Sequence, residues 1–221
     1  MTWKPRALIF DMDGLLVDSE DTWEMAENTL LAARNRRYGP GERHKLLGLR
    51  TDEFLEQLIK HFQLEESLSD LRRELIADML KLVPQHTRPQ PGAPEILAYA
   101  AQRRLPRAIA SAAPPEIIEA IVASQGWQET LPLRISADSV PNGKPAPDVY
   151  LEAARQLGIP PADCLALEDS PNGARSAVAA GMVCYAVPDP AHTDQRAFHG
   201  ITRHVFGSLH EVLAWLQAAG V

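Results

Sequence analysis

The stretch from Ala7 to Glu20, ALIFDMDGLLVDSE, constrains this chain more than any other. It opens on consecutive apolar residues, Ala7-Leu8-Ile9-Phe10. A strand covered on both faces reads this way, whereas a half-exposed strand alternates apolar and polar side chains. The run stops at Asp11, and a second carboxylate, Asp13, follows just ahead of Gly14. In an open parallel sheet, ligands collect beyond the carboxyl ends of the strands. Asp11 then sits at the ligand-binding edge, and Asp13 faces the same way if the chain stays extended. Two acids so close cannot both be ionised comfortably unless a cation lies between them or one keeps its proton. Either outcome is useful in catalysis. Asp-Gly alone is an ordinary turn signal, so other features must decide between a site and a simple turn.

The rest of the chain falls into two rhythms. Ser19 or Asp18 is placed to cap a helix through Trp23, Ala26, Leu30 and Ala33, and Gly39-Pro40-Gly41 breaks it. Thr51-Asp52-Glu53-Phe54 opens a second helix with Phe54, Leu55, Leu58, Ile59 and Phe62 on one side. A third runs from about Ser69 through Leu71, Leu75, Met79 and Leu82, and the Pro-rich segment 84–94 reads as a return linker. No strand-like alternation interrupts this helical block. From Pro94 onward strands and helices alternate. Strands are expected at Arg107–Ser111, 131–137, Cys164–Asp169 and Val183–Val187. Helices are expected over 95–104, after Pro114-Pro115, over 147–157 up to Gly158, behind Ser170-Pro171, and over 208–219. This alternation predicts an α/β fold, a doubly wound parallel sheet with helices on both faces. An all-helical cap is inserted after its first strand, giving a core of 1–15 and 88–221 and a cap of 16–87. A helical insertion at the mouth of the site is what a lid would look like.

Composition narrows the function. Lys and Arg total 22 against 29 Asp and Glu, a formal net charge of −7, with no basic run. That excludes nucleic acid and anionic membrane as expected partners, since both need clustered cations. It would also repel a phosphorylated substrate at long range, so a local positive site must do the capturing. Cys164 and Cys184 lie in apolar strand-like segments and are expected to be buried free thiols. Met1-Thr2-Trp3-Lys4-Pro5 does not read as a secretory signal, and no apolar run approaches a membrane span, so a cytoplasmic location is expected. Oligomeric state is not legible.

Four polar clusters follow in an order that carries a resemblance. Asp11-x-Asp13-Gly14 ends the first strand, and Ser111 ends Arg107-Ala108-Ile109-Ala110-Ser111. Lys144 stands in Gly143-Lys144-Pro145-Ala146-Pro147-Asp148, and Glu168-Asp169 ends Cys164-Leu165-Ala166-Leu167. Together they resemble the motifs of the haloacid dehalogenase superfamily of phosphohydrolases. The helical insertion resembles the cap of the subclass that includes β-phosphoglucomutase and small sugar-phosphate phosphatases. The resemblance covers nearly the whole chain.

Phosphate monoesters resist hydrolysis so strongly that catalysis must supply accelerations up to about 10²¹. A nucleophile, charge neutralisation on the phosphoryl group and a proton for the leaving alcohol are all needed. Asp11 can attack phosphorus to give an aspartyl-phosphate. Asp13 can protonate the ester oxygen and later deprotonate water, the role the resemblance also gives it. Mg²⁺ suits Asp11 and Asp169, and the resemblance adds the main-chain carbonyl of Asp13. Glu168 would ligate through water or orient its neighbour. Lys144 would hold Asp11 and a phosphoryl oxygen together. Ser111 and nearby main-chain N–H groups, including that of Ala112, would bind the remaining oxygens. The family's second motif often carries a further hydroxyl or amide. Here it reads Ser111-Ala112-Ala113-Pro114, which leaves phosphate binding to Ser111 and the backbone.

The same residues sort the activities. Dehalogenases lack an aspartate at the Asp13 position. β-Phosphoglucomutases carry a histidine where this chain has Trp23, which favours hydrolysis over phosphomutase action. Asp18-Ser19-Glu20 and Gly48-Leu49-Arg50 resemble the 2-deoxyglucose-6-phosphatase-like hexitol and sugar phosphatases, with Arg50 on the cap as the residue expected to reach substrate. A non-catalytic phospho-acceptor of the response-regulator receiver type gathers similar groups, but it has no inserted cap and no Asp-x-Asp with the nucleophile first. The expected function is Mg²⁺-dependent hydrolysis of a small phosphorylated metabolite, a sugar or polyol phosphate, with phosphomutase as the alternative.

Overall fold

The computed structural model describes residues 3–39, 41–43, 49–189 and 193–221. Met1, Thr2, Pro40 and Gly48, all used above, lie outside them. In chain order the strands are β1 (Ala7–Phe10), β2 (Val17–Asp18), β3 (Arg88–Pro89), β4 (Arg107–Ser111), β5 (Leu133–Ser136), β6 (Cys164–Glu168) and β7 (Val183–Ala186). The helices are α1 (Glu20–Ala32), α2 (Thr51–Phe62), α3 (Leu68–His86), α4 (Ala93–Gln102), α5 (Pro115–Ser124), α6 (Asp148–Leu157), α7 (Pro171–Ala179) and α8 (Leu209–Ala218).

Five strands form one parallel sheet in the order β5-β4-β1-β6-β7. The apolar run of β1 makes it the middle strand, where neither face meets water. Ile9 pairs with Ala108 on one side and Ala166 on the other. Side chains alternate along the strand, so Leu8 and Phe10 enter one core with Ile96 of α4, Ile117 of α5 and Val212 of α8. Ala7 and Ile9 enter the other, with Val149 and Ala153 of α6 and Ala174 and Ala177 of α7. All of these side chains are fully buried, and each large aliphatic or aromatic one stabilises the fold by roughly 1.5–3 kcal/mol. The second core is built mostly from alanines on strands and helices alike, which lets α6 and α7 lie close to the sheet. The expected doubly wound α/β architecture is therefore present. Because β4 and β6 flank β1, connections leave it in opposite directions, and the crevice at its carboxyl end is the place where such sheets bind ligands.

Helices α1, α2 and α3 form the inserted layer, with α3 packed against both α1 and α2. It is seated on the core where α3 meets α5 and where Arg72 bonds Asp52 at 2.6 Å and Asp138, beyond β5, at 2.7 Å. Three local expectations need correction. The segment 84–94 is not a linker. Helix α3 runs through Pro84 to His86, and Pro94 lies inside the first turn of α4. Proline costs α3 only the bond to one carbonyl near its end. Secondly, the insertion is not wholly helical, since β2 and β3 pair antiparallel as a two-residue ribbon where the chain leaves and re-enters the core. Thirdly, Ser19 occupies the N-cap position of α1 but makes no capping bond. Its hydroxyl is drawn to Asp13 instead. Ser170 does cap as expected, its hydroxyl accepting from the Gly173 N–H at 3.1 Å.

Among the described residues no helix is long and apolar enough to cross a membrane. Cys164 and Cys184 are buried free thiols.

Candidate active site

The carboxyl ends of β1 and β6 bring Asp11 and Glu168 to the same level of the sheet, and the loop before α6 delivers Lys144 between them. The Lys144 Nζ donates to Asp11 Oδ1 at 2.5 Å and to Glu168 Oε1 at 2.6 Å. Asp11 is 6% exposed, Lys144 7% and Glu168 0%, so these bonds form in a poorly screening interior where charge-assisted contacts are strong. The two carboxylates raise the Lys144 ammonium above its ordinary range against the opposing effect of burial. Glu168 is held from all sides. Its Oε1 also accepts from the Tyr150 hydroxyl at 2.7 Å, and its Oε2 accepts from the Ser170 hydroxyl and N–H at 3.1 and 3.3 Å. Every donor set on Glu168 thus serves to fix the lysine that grips Asp11.

Asp13, two residues beyond Asp11, enters a tight turn in which the Gly14 N–H donates to the Val17 carbonyl at 2.8 Å. Its Oδ1 accepts from the Ser19 hydroxyl at 2.5 Å and the Trp23 indole N–H at 3.1 Å, and its Oδ2 from the Ser111 hydroxyl at 3.4 Å. Burial pushes the Asp13 carboxyl above its usual range, while Ser19, Trp23, Lys144 and Ser111 draw it back. A shift in that direction is the one a proton donor to an alcohol requires.

Asp11, Glu168 and Asp169 each place one carboxylate oxygen within 4.8 Å of the others. With Asp13 these make four acids around one ammonium. Burial, then Glu168 and Asp13, push Asp11 up to about 7 even with Lys144 pulling the other way. Burial and the neighbouring Asp11 and Glu168 push Asp169 well above the carboxylate range. Such an excess of negative charge in a buried site is what a hard divalent cation offsets. Gly14 completes the cradle. Its φ is +80°, and a β-carbon there would lie 2.2 Å from Oδ2 of Asp169. Only glycine lets the turn and the carboxylate approach so closely.

These groups open into a cavity of about 550 Å³ whose walls include Asp11, Asp13, Lys144 and Asp169 together with Ala112 and Ala113 from the loop after β4. Ser111 is fully buried behind that wall, and its hydroxyl accepts from the Ala113 N–H at 3.0 Å while it donates to Asp13. Arg50 is not among the cavity-lining residues. Its guanidinium is bonded to Glu53 at 2.7 Å, and its stem lies on Gly143, where a β-carbon would come within 2.8 Å of it. The cap contributes Glu20, Trp23, Glu27, Arg43, Thr51 and Phe54 to the walls instead.

Comparison with known proteins agrees with this geometry. The model of the haloacid dehalogenase-like hydrolases matches residues 5–181. The chain belongs to that family. This hydrolase is 36% identical over 197 residues to hexitol phosphatase B of Escherichia coli K12, covering 86% of this chain and 87% of that one. It is 32% identical over 199 residues to the "Probable pseudouridine-5′-phosphatase" of Drosophila melanogaster, covering 86% of this chain and 85% of that one. Among solved structures, CbbY from Rhodobacter sphaeroides in complex with phosphate superposes with a TM-score of 0.89 at 28% identity, covering 96% and 99% of the two chains. A variant of CbbY has been solved with xylulose-(1,5)bisphosphate.

Several contributors to the hydrolase site were not singled out in the sequence. Tyr150 reads there as an ordinary core residue of an amphipathic helix, and only the fold turns its hydroxyl onto Glu168. Glu27 and Arg43 are 16 positions apart and give no local sign that they pair. Gly173, in Ser170-Pro171-Asn172-Gly173, does carry a signal. Glycine in the first turn of a helix is unfavourable by propensity, so something close must require it.

Proposed function

We propose that this protein is a Mg²⁺-dependent phosphatase of small phosphorylated metabolites, sugar or polyol phosphates, acting through an aspartyl-phosphate. The observation that carries the reading is the grip of Lys144 on Asp11 at 2.5 Å beside Asp13, within one cavity. The kinship with hexitol phosphatase B supports the substrate class.

Asp11 and Asp169, with the Asp13 carbonyl, would hold the metal, which when bound neutralises phosphoryl charge and fixes phosphate orientation. Lys144 keeps one Asp11 oxygen occupied and adds positive charge beside it. The other Asp11 oxygen attacks phosphorus as the bond from phosphorus to the ester oxygen breaks, and protonated Asp13 delivers its proton to that oxygen. Asp13, now a carboxylate, takes a proton from water. The hydroxide so formed attacks phosphorus, releasing phosphate and restoring Asp11. The Ala112 N–H would meet a phosphate oxygen, while the Ala113 N–H is held by the Ser111 hydroxyl, which shapes that loop from behind. Glu168 acts by holding Lys144 and is a positioning residue. Trp23 supports hydrolysis over phosphoryl transfer to a second sugar, because its indole is spent on Asp13. Residues 16–87 serve as the cap and exclude bulk water, with β2 and β3 as the junction to a core of 1–15 and 88–221.

Leaving groups test the roles. Asp11→Asn should end turnover of p-nitrophenyl phosphate with Mg²⁺ while circular dichroism stays unchanged. Asp13→Asn should slow a sugar phosphate by about 10²–10⁴-fold but p-nitrophenyl phosphate far less, since that phenolate leaves without a proton. Sustained turnover by the first variant, or equal losses on both substrates by the second, would refute the assignments.

A further inference from the structure

Trp23 stands on α1 and lines the cavity from the cap. An indole has one polar atom, the ring nitrogen, which can only donate. Here that donor is engaged, its N–H reaching Asp13 Oδ1 at 3.1 Å. What the half-buried ring offers the cavity is therefore hydrocarbon. The ring also packs against the larger of the two cores, so core contacts and the bond to Asp13 together fix its position. Leu49, just ahead of α2, and Phe54, on α2, add apolar side chains to the cap's share of the lining.

Asp13 sets where this ring lies relative to the chemistry. The ester oxygen must come within about 2.7 Å of the carboxyl that protonates it, and the indole N–H binds that same carboxyl. One carboxyl group thus separates Trp23 from the leaving oxygen, and the carbon skeleton attached to that oxygen begins beside the ring. A sugar in ring form is polar around its hydroxyl-bearing edge but shows C–H groups on its faces. Covering those with an aromatic surface removes apolar area from water. We infer that Trp23 is a specificity-determining residue, the platform on which the C–H face of a hexose-sized leaving group packs while Asp13 delivers its proton. This rests on the phosphatase reading and sharpens its substrate class to hexose monophosphates in ring form.

The test separates the ring face from the N–H. Glucose 6-phosphate and glycerol 3-phosphate both release a primary alcohol, so both need the Asp13 proton, but they differ in the C–H surface they can lay on the ring. With Mg²⁺ present, kcat/KM is measured for both in wild type, Trp23→Phe and Trp23→Gln, and the ratio of the two is compared. Wild type should prefer the hexose. Trp23→Phe keeps an aromatic face and loses the N–H, so both substrates should slow in parallel and the ratio stay within about threefold of wild type. Trp23→Gln keeps an N–H donor and loses the face, so the preference should fall about tenfold, the discrimination that a methylene-sized contact gives in an apolar pocket. A ratio unmoved in Trp23→Gln, an equal fall in Trp23→Phe, or a wild type indifferent between the two substrates would overturn the inference. A second readout needs no turnover. In Asp11→Asn, glucose 6-phosphate should shift tryptophan emission, and adding Trp23→Phe should abolish the shift; a shift that persists would also overturn the platform. Turnover of p-nitrophenyl phosphate by wild type separates the two levels. With turnover present, these adverse results overturn only the role of Trp23; with turnover absent, the phosphatase reading falls and takes the role with it.

Discussion

Gly173 lies in the first turn of α7, and a β-carbon built there would stand 1.8 Å from Oε1, 2.0 Å from Cδ and 2.2 Å from Oε2 of Glu168. Elsewhere in a helix, glycine to alanine is worth about 1 kcal/mol of added stability. At this position the sign reverses. Comfortable non-bonded contact needs about 3.5 Å, so the Glu168 carboxylate must retreat by more than about 1 Å. Its bonds to Lys144 and Tyr150 are now 2.6 and 2.7 Å and cannot survive that shift. Breaking one side of a buried ion pair costs about 3–5 kcal/mol, leaving a net loss of roughly 2–4 kcal/mol after the helix gain. At about 2–4 °C per kcal/mol for a chain of this size, Gly173→Ala should melt roughly 5–15 °C below wild type. Lys144 would follow Glu168 and release Asp11, and a misplacement of about 1 Å in a reacting group costs on the order of 10²-fold in rate. Thermal melts followed by circular dichroism and turnover of p-nitrophenyl phosphate read both effects. A variant that melts with wild type and keeps its activity would show that Glu168 has room to move and that the clamp on Lys144 is not rigid.

Two other outcomes test the charge argument at the site and the burial of the thiols. Because four acids surround one lysine, Mg²⁺ should raise the melting temperature after EDTA treatment, by about 2.7 kcal/mol of stability at a concentration 100 times its Kd. Asp169→Asn should abolish most of that shift, and an equal shift in the variant would remove Asp169 from the metal site. Burial pushes the Cys164 thiol up to about 11 and Cys184 higher still, so at pH 8 neither is appreciably thiolate. Neither should react with a thiol reagent in the folded protein, while both should label in denaturant. Rapid labelling of the native chain would contradict their burial.

The strands were legible because a strand buried on both faces announces itself in sequence. β1, β4 and β6 begin and end close to where their apolar runs do, and the polar residues that close those runs, Asp11, Ser111 and Glu168, are the ones that meet at the sheet edge. The order of the four clusters carried the family. Side-chain partnerships were much less legible. Lys144 was expected to hold Asp11, but nothing local marks Tyr150 or Ser170 as partners of Glu168, because those contacts are set by how far α6 and α7 stand from the sheet. Arg50 looked like the substrate-facing cation of the cap, yet it spends its guanidinium on Glu53 three positions away, and Arg43 takes the place on the wall. Pro84 misled for a physical reason as well. A proline within the last turns of a helix removes few bonds, so it does not mark the end that its mid-helix cost would suggest.

The ribbon formed by β2 and β3 has a consequence for the architecture as a whole. It brings the outgoing and returning chain side by side, with Val17 opposite Pro89 and Asp18 opposite Arg88. To the parent sheet, everything beyond that doorway is equivalent to one short surface loop. Segments of quite different length or design could be spliced there without disturbing a single strand pairing. A scaffold with such a socket can retain its reaction while exchanging the part that chooses what reacts.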